Sequence, residues 1–69
     1  MGRTQKRVLD YLQNNPGGQS SAYSISRELS LSENKVRGAL NRLHKRGLAL
    51  KRAHLGSVFW TLTPACMQN

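Results

Sequence analysis

The 69-residue sequence predicts an α+β domain in which three helices precede a C-terminal β-hairpin. Three observations carry this expectation. Apolar residues recur at helical spacing, about 3.6 residues per turn, in three successive segments before Gly47. After Gly47 the apolar period falls to about two, as in a half-buried strand. Gly56 then interrupts the alternating stretch at its middle and suits a hairpin turn. The length fits one domain, expected over residues 1–64, with 65–69 as a disordered tail.

The first helical segment is "RTQKRVLDYLQNN". Val8, Leu9 and Leu12 share one face, with Tyr11 on its flank. Thr4 is the candidate N-cap, and "NNPGG" stops the helix near Asn14. The second segment is "SSAYSISREL". Ser20 or Ser21 can cap it, Ala22, Ile25 and Leu29 form its inner face, and Ser26 allows close approach of a neighbour. The break "SLS" is short enough only for a tight turn, with Leu31 plugging the angle between two helices. Ser32 caps the third helix, and Glu33 places a negative charge in its first turn, where the helix dipole favours it. That helix runs to about Arg46 and ends at Gly47.

In "LALKRAH", Leu48 and Leu50 alternate with Ala49 and Lys51. In "VFWTLT", Val58, Trp60 and Leu62 lie on one face, and Phe59, Thr61 and Thr63 on the other. Trp60 is therefore expected in the core and Phe59 facing outward, where it could meet a partner or pack against the tail or the first helix. Pro64 ends the second strand. An extended piece around Gln19 is a candidate third strand at the hairpin's edge.

Charge narrows the choice of partner. The formal net charge is +8 and the isoelectric point is near 11.0. Only Asp10, Glu28 and Glu33 are acidic, and no acid interrupts the run of basic residues from Lys35 to Arg52. Such one-sided charge in a small domain is the electrostatic footprint of a polyanion. Nucleic acid is favoured over an anionic membrane, because the apolar stripe of the third helix is narrow and the small core needs it. No apolar run is long enough to span a bilayer. The N-terminus lacks the apolar region of a signal peptide, and Cys66 is the only thiol, so a reducing, cytoplasmic setting is expected. His44, His54 and Cys66 lack an evident fourth ligand, so no metal is expected. Neither paired carboxylates, a supported Ser/His/Asp set nor a Gly-rich phosphate loop is present, so neither an enzyme nor a cofactor is expected.

The order helix, helix, helix, strand, strand, with a three-residue turn between the second and third helices, resembles the winged helix-turn-helix family. The resemblance rests on "SAYSISRELSLSENKVRGALNRLHKRGLA" and "VFWTLTP" and covers about Thr4 to Pro64. It implies a three-helix winged helix-turn-helix with a C-terminal hairpin wing. It also implies double-stranded DNA binding through the third helix in the major groove, as in small bacterial or phage transcriptional regulators.

With about 100° per residue, Val36, Ala39, Leu40 and Leu43 point inward on the third helix. Asn34, Gly38, Asn41 and Lys45 point outward, flanked by Lys35, Arg37 and Arg42. Arg and Asn hydrogen-bond the edges of guanine and adenine. Asn34, Arg37, Gly38 and Asn41 are therefore the base-reading candidates. Gly38 costs about 1 kcal/mol relative to Ala in mid-helix, which close backbone approach to DNA would explain and drift would explain equally. Lys35, Arg42, Lys45 and Arg46 are the phosphate candidates, joined by Ser20, Ser21 and Tyr23 at the start of the second helix. Arg3, Lys6 and Arg7 add nonspecific attraction or only solvate the first helix. Lys51, Arg52, His54 and Ser57 flank the wing tip, and His44 is expected to pack against the wing.

"FWTL" also resembles the wing tryptophan segment of left-handed-DNA binders of this fold. Aligned through "KRG", the Asn and Tyr of those binders fall at Arg37 and Asn41, and the missing Tyr argues against left-handed DNA. An RNA- or ribosome-associated winged helix, and a protein-interaction winged helix using Phe59, stay open as alternatives. So does a weak homodimer.

Overall fold

The structure is a computed structural model that describes residues 2–15 and 18–63. It contains α1 (Arg3–Asn14), α2 (Ala22–Leu29), α3 (Glu33–Lys45), β1 (Ala49–His54) and β2 (Ser57–Leu62). This is the order expected from the apolar periods. Pro64 and the expected tail lie outside the described residues.

Helix α1 begins earlier than Thr4. Its N-cap is Gly2, in extended conformation and without a capping side chain. The Lys6 amide already donates to the Gly2 carbonyl at 3.0 Å, so Thr4 sits inside the first turn and cannot cap it. At the other end the Asn15 side chain donates to the Tyr11 carbonyl at 2.9 Å. Val8 and Leu12 are buried, and Leu9 and Tyr11 pack at the margin.

Helix α2 is capped by Ser21, whose Oγ accepts from the Ser24 amide at 3.1 Å. Ser26 is buried and its hydroxyl donates to the Tyr23 carbonyl at 2.6 Å, so the polar group is satisfied inside its own helix. The turn to α3 closes when Ser30 takes a left-handed φ of 56° and the Leu31 amide donates to the Ser26 carbonyl. Leu31 then packs against the core from the corner. Ser32 caps α3 through the Lys35 amide. Gly47, at φ 77°, ends that helix, and the Leu48 amide donates back to Leu43. Both closures follow the pattern in which a left-handed residue lets the next amide satisfy an orphan carbonyl.

The strands pair antiparallel, from Ala49 opposite Leu62 to His54 opposite Ser57. A two-residue turn joins them, with Leu55 at φ 50° and Gly56 at φ 80°. Both positive φ values match the twist that a tight hairpin requires, and Leu adopts this region reluctantly. In β1 the small Ala49 faces the core and Leu50 faces outward. Cross-strand partners share a face, so the inward row is Ala49, Lys51 and Ala53 beside Leu62, Trp60 and Val58.

Trp60 is 4% exposed and joins Val8, Leu12, Ile25, Val36, Leu40, Leu43 and Leu62 in one core. Phe59 lies on the face opposite Trp60, as the alternation expects. It is half-buried, with Thr61 and Thr63 buried further along the same face and Arg52 as its cross-strand partner. The extended piece near Gln19 shrinks to one bridge, with Ser20 and Trp60 exchanging amide-to-carbonyl bonds at 3.1 and 2.8 Å. It can be no longer, because Ser21 is already the N-cap of α2.

Candidate nucleic-acid interface

Helix α3 presents a ridge to solvent. Val36, Ala39, Leu40 and Leu43 are buried, while Asn34, Lys35, Arg37, Gly38, Asn41, Arg42, Lys45 and Arg46 are all exposed. The amphipathic spacing sets this orientation directly. One carboxylate reaches the ridge: Glu33 forms an ion pair with Arg37 one turn later. A Cβ built on Gly38 would meet nothing within 4 Å, so no neighbour within the fold demands glycine there.

On one flank α3, α2 and the wing enclose an open groove of about 490 Å³. Arg37 and Asn41 form one wall, Ser21 and Tyr23 a second, and Lys51, Val58 and Trp60 the third. The Lys51 ammonium lies 5.8 Å from the centre of the Trp60 ring, within cation–π range. His44 meets the same ring edge-on, with centroids 6.1 Å apart. Its Nδ1 lies 3.0 Å from the Ala49 carbonyl, which only a protonated Nδ1 can satisfy. His44 thus braces the wing root, as expected. On the other flank, α3 and the start of α1 enclose a groove of about 360 Å³.

The phosphate candidates on α2 differ in what they can offer. The Ser20 amide is taken by the Trp60 carbonyl. The Ser21 hydroxyl accepts from the Ser24 amide and donates to the Ser24 hydroxyl. Helix geometry leaves the Ala22 and Tyr23 amides without intrahelical partners. Tyr23 is 56% exposed. Its hydroxyl accepts from Arg27 at 2.9 Å, and that guanidinium also leans over the ring. On the wing, Lys51 turns toward the groove. Arg52 and His54 lie on the outer face, and Ser57 borders the groove at the tip. Lys6 and Arg7 are exposed on α1, and Arg7 donates to the Leu29 carbonyl.

Three features were not anticipated. The Glu33–Arg37 pair was visible as an i,i+4 spacing. The stacking of Lys51 on Trp60 follows only from the strand register, and the approach of α1 to α3 only from the tertiary fold. Among the described residues no group of three His, Cys, Asp or Glu side chains could hold a metal, and no helix is long and apolar enough to cross a membrane. Cys66 lies outside the described residues.

The chain has the winged helix-turn-helix fold. A mutant of ZitR from Lactococcus lactis superposes at a TM-score of 0.83, with 24% identity, over 99% of this chain and 47% of that one. BpsR from Bordetella bronchiseptica matches at 0.82, with 27% identity, over 99% of this chain and 51% of its own. The Zalpha domain of zebrafish PKZ matches at 0.76, with 27% identity, over 86% of this chain and 89% of the domain. The chain therefore spans about half the length of the two bacterial proteins and nearly all of the Zalpha domain. No protein-family model matches the sequence, and no curated protein does.

Proposed function

We propose that this chain binds double-stranded DNA by seating α3 in the major groove, as the DNA-reading part of a transcriptional regulator acting in the cytoplasm and without catalytic activity. The observation that carries this function is the exposed ridge of α3, where amides and guanidinium groups stand between cationic flanks. Asn34, Arg37 and Asn41 would read base edges, and Gly38 would let the backbone approach. Lys35, Arg42, Lys45 and Arg46 would hold phosphates, together with the start of α2 and the wing. The regulation of DNA binding recorded for BpsR supports the same use of this fold.

The test is selection from a pool of random duplex DNA, with duplex RNA as competitor. A DNA consensus is expected. Enrichment of RNA, or recovery of no consensus, would remove the sequence-specific regulator function. The near-complete two-way match to the Zalpha domain favours left-handed DNA as a second target. Another domain of that kind is described in complex with Z-DNA. Trp60 keeps the wing position of the family tryptophan, but Asn41 replaces the tyrosine that the resemblance calls for. Titration into an alternating CG duplex, followed by circular dichroism, separates the two: conversion to the left-handed spectrum would establish the second target.

A further inference from the structure

Glu33 is the first residue of α3 and the one carboxylate among the residues lining the groove between α3, α2 and the wing. Asp10 and Glu28, the only other acids of the chain, line neither groove. The Glu33 side chain is 35% exposed and pairs with Arg37, one turn further along α3. A negative charge in the first turn suits the helix dipole. In a surface that only attracted phosphates, however, a carboxylate at this place would weaken the attraction. It stands instead beside the guanidinium proposed to read guanine.

We infer that Glu33 is a specificity-determining residue, which accepts a hydrogen bond from the N4 amino group of a cytosine at the base pair adjoining the guanine read by Arg37. The inference rests on the DNA function proposed above and adds a reader of opposite charge to it. The N-terminal residues of a recognition helix are the ones that reach base edges in the major groove. Residues four apart are separated by about 6 Å along a helix axis, and successive base pairs by about 3.4 Å. Two side chains that lean together across one turn can therefore meet neighbouring pairs. A guanine that takes the Arg37 fork loosens its hold on Glu33, and a carboxylate enclosed against DNA then needs another donor. Cytosine presents an amino donor in the major groove, where thymine presents the O4 acceptor. A carboxylate accepts from the first and repels the second.

The test is selection from random duplex DNA, run in parallel on the wild type, Glu33→Gln and Glu28→Gln. Glu28→Gln makes the same change in net charge on exposed α2 surface outside both grooves. The wild type and Glu28→Gln are expected to select a cytosine beside a guanine. Glu33→Gln should keep the guanine and lose the preference for cytosine, because a carboxamide can donate to thymine O4 as well as accept from cytosine N4. In titrations of the selected duplex, changing that cytosine to thymine should weaken wild-type binding roughly ten-fold and that of Glu33→Gln far less. A residue serving the helix dipole alone would alter Tm and leave every base preference in place. A wild-type consensus without the adjoining cytosine, or one whose cytosine Glu33→Gln keeps in full or Glu28→Gln loses equally, would overturn the role of Glu33 while leaving DNA reading intact. A wild-type protein that yields no consensus would overturn both this role and the function beneath it.

Discussion

The guanidinium of Arg37 lies against the carboxylate of Glu33, with side-chain exposures of 62% and 35%. An exposed pair of this kind contributes about 0–1 kcal/mol, so a base edge can displace it. Arg37→Ala is expected to weaken binding to a selected DNA site by about 1–3 kcal/mol and to relax preference at one base position. Titration against single-base variants of the site checks this; unchanged affinity and preference would remove Arg37 from the reading set. Gly38 allows a sharper division. Because a Cβ there meets nothing, Gly38→Ala should stabilise the domain by about 0.5–1 kcal/mol. If DNA approaches that backbone closely, the same variant should bind more weakly. Denaturation and titration of one protein read both effects, and a more stable variant with unchanged affinity would mean that the glycine is drift.

Among the elements, the helices and strands were legible because their apolar periods are clean, and because the second and third helices stop at Ser30 and at Gly47. The Ser21 and Ser32 caps are where a serine precedes an apolar-periodic run, whereas Thr4 failed because the first turn closes on Gly2. Strand β1 was less legible, since an alternation of Leu with Ala does not say which set is inside until register places Ala49 beside Leu62. Trp60 ties the elements together: it is buried, bridged to Ser20, stacked by Lys51 and met by His44. Trp60→Ala should cost roughly 3–5 kcal/mol, read by denaturation. A variant with the parental Tm and lost DNA binding would move the ring from the core to the interface. Along α3, Arg42 lies on the flank, so Arg42→Ala should weaken specific and scrambled duplexes alike and flatten the salt slope by roughly one unit. Arg37→Ala should hurt the selected site more. Equal losses for both variants on both duplexes would mean that α3 supplies charge only.

For the whole molecule, the helical ridge of the candidate site was readable from one helix's periodicity, while its flanks were not. The flanks come from residues far apart in sequence, such as Gly2 with Gly38 and Tyr23 with Lys51, and only tertiary packing brings them together. The core draws on all three helices and both strands, so few positions can change without cost in a domain this small. The wing is the exception. It is tied at its root by the core and the Ser20–Trp60 bridge, yet every residue from Lys51 to Val58 is exposed. Mechanically it is a cantilever, clamped at one end and unloaded at the other. Its length can therefore vary almost independently of folding, provided that residues are added in even steps so that each side chain keeps its face. Reach toward a ligand is then a quantity that mutation can tune by itself, with Leu55 and Gly56 as the place where new length enters.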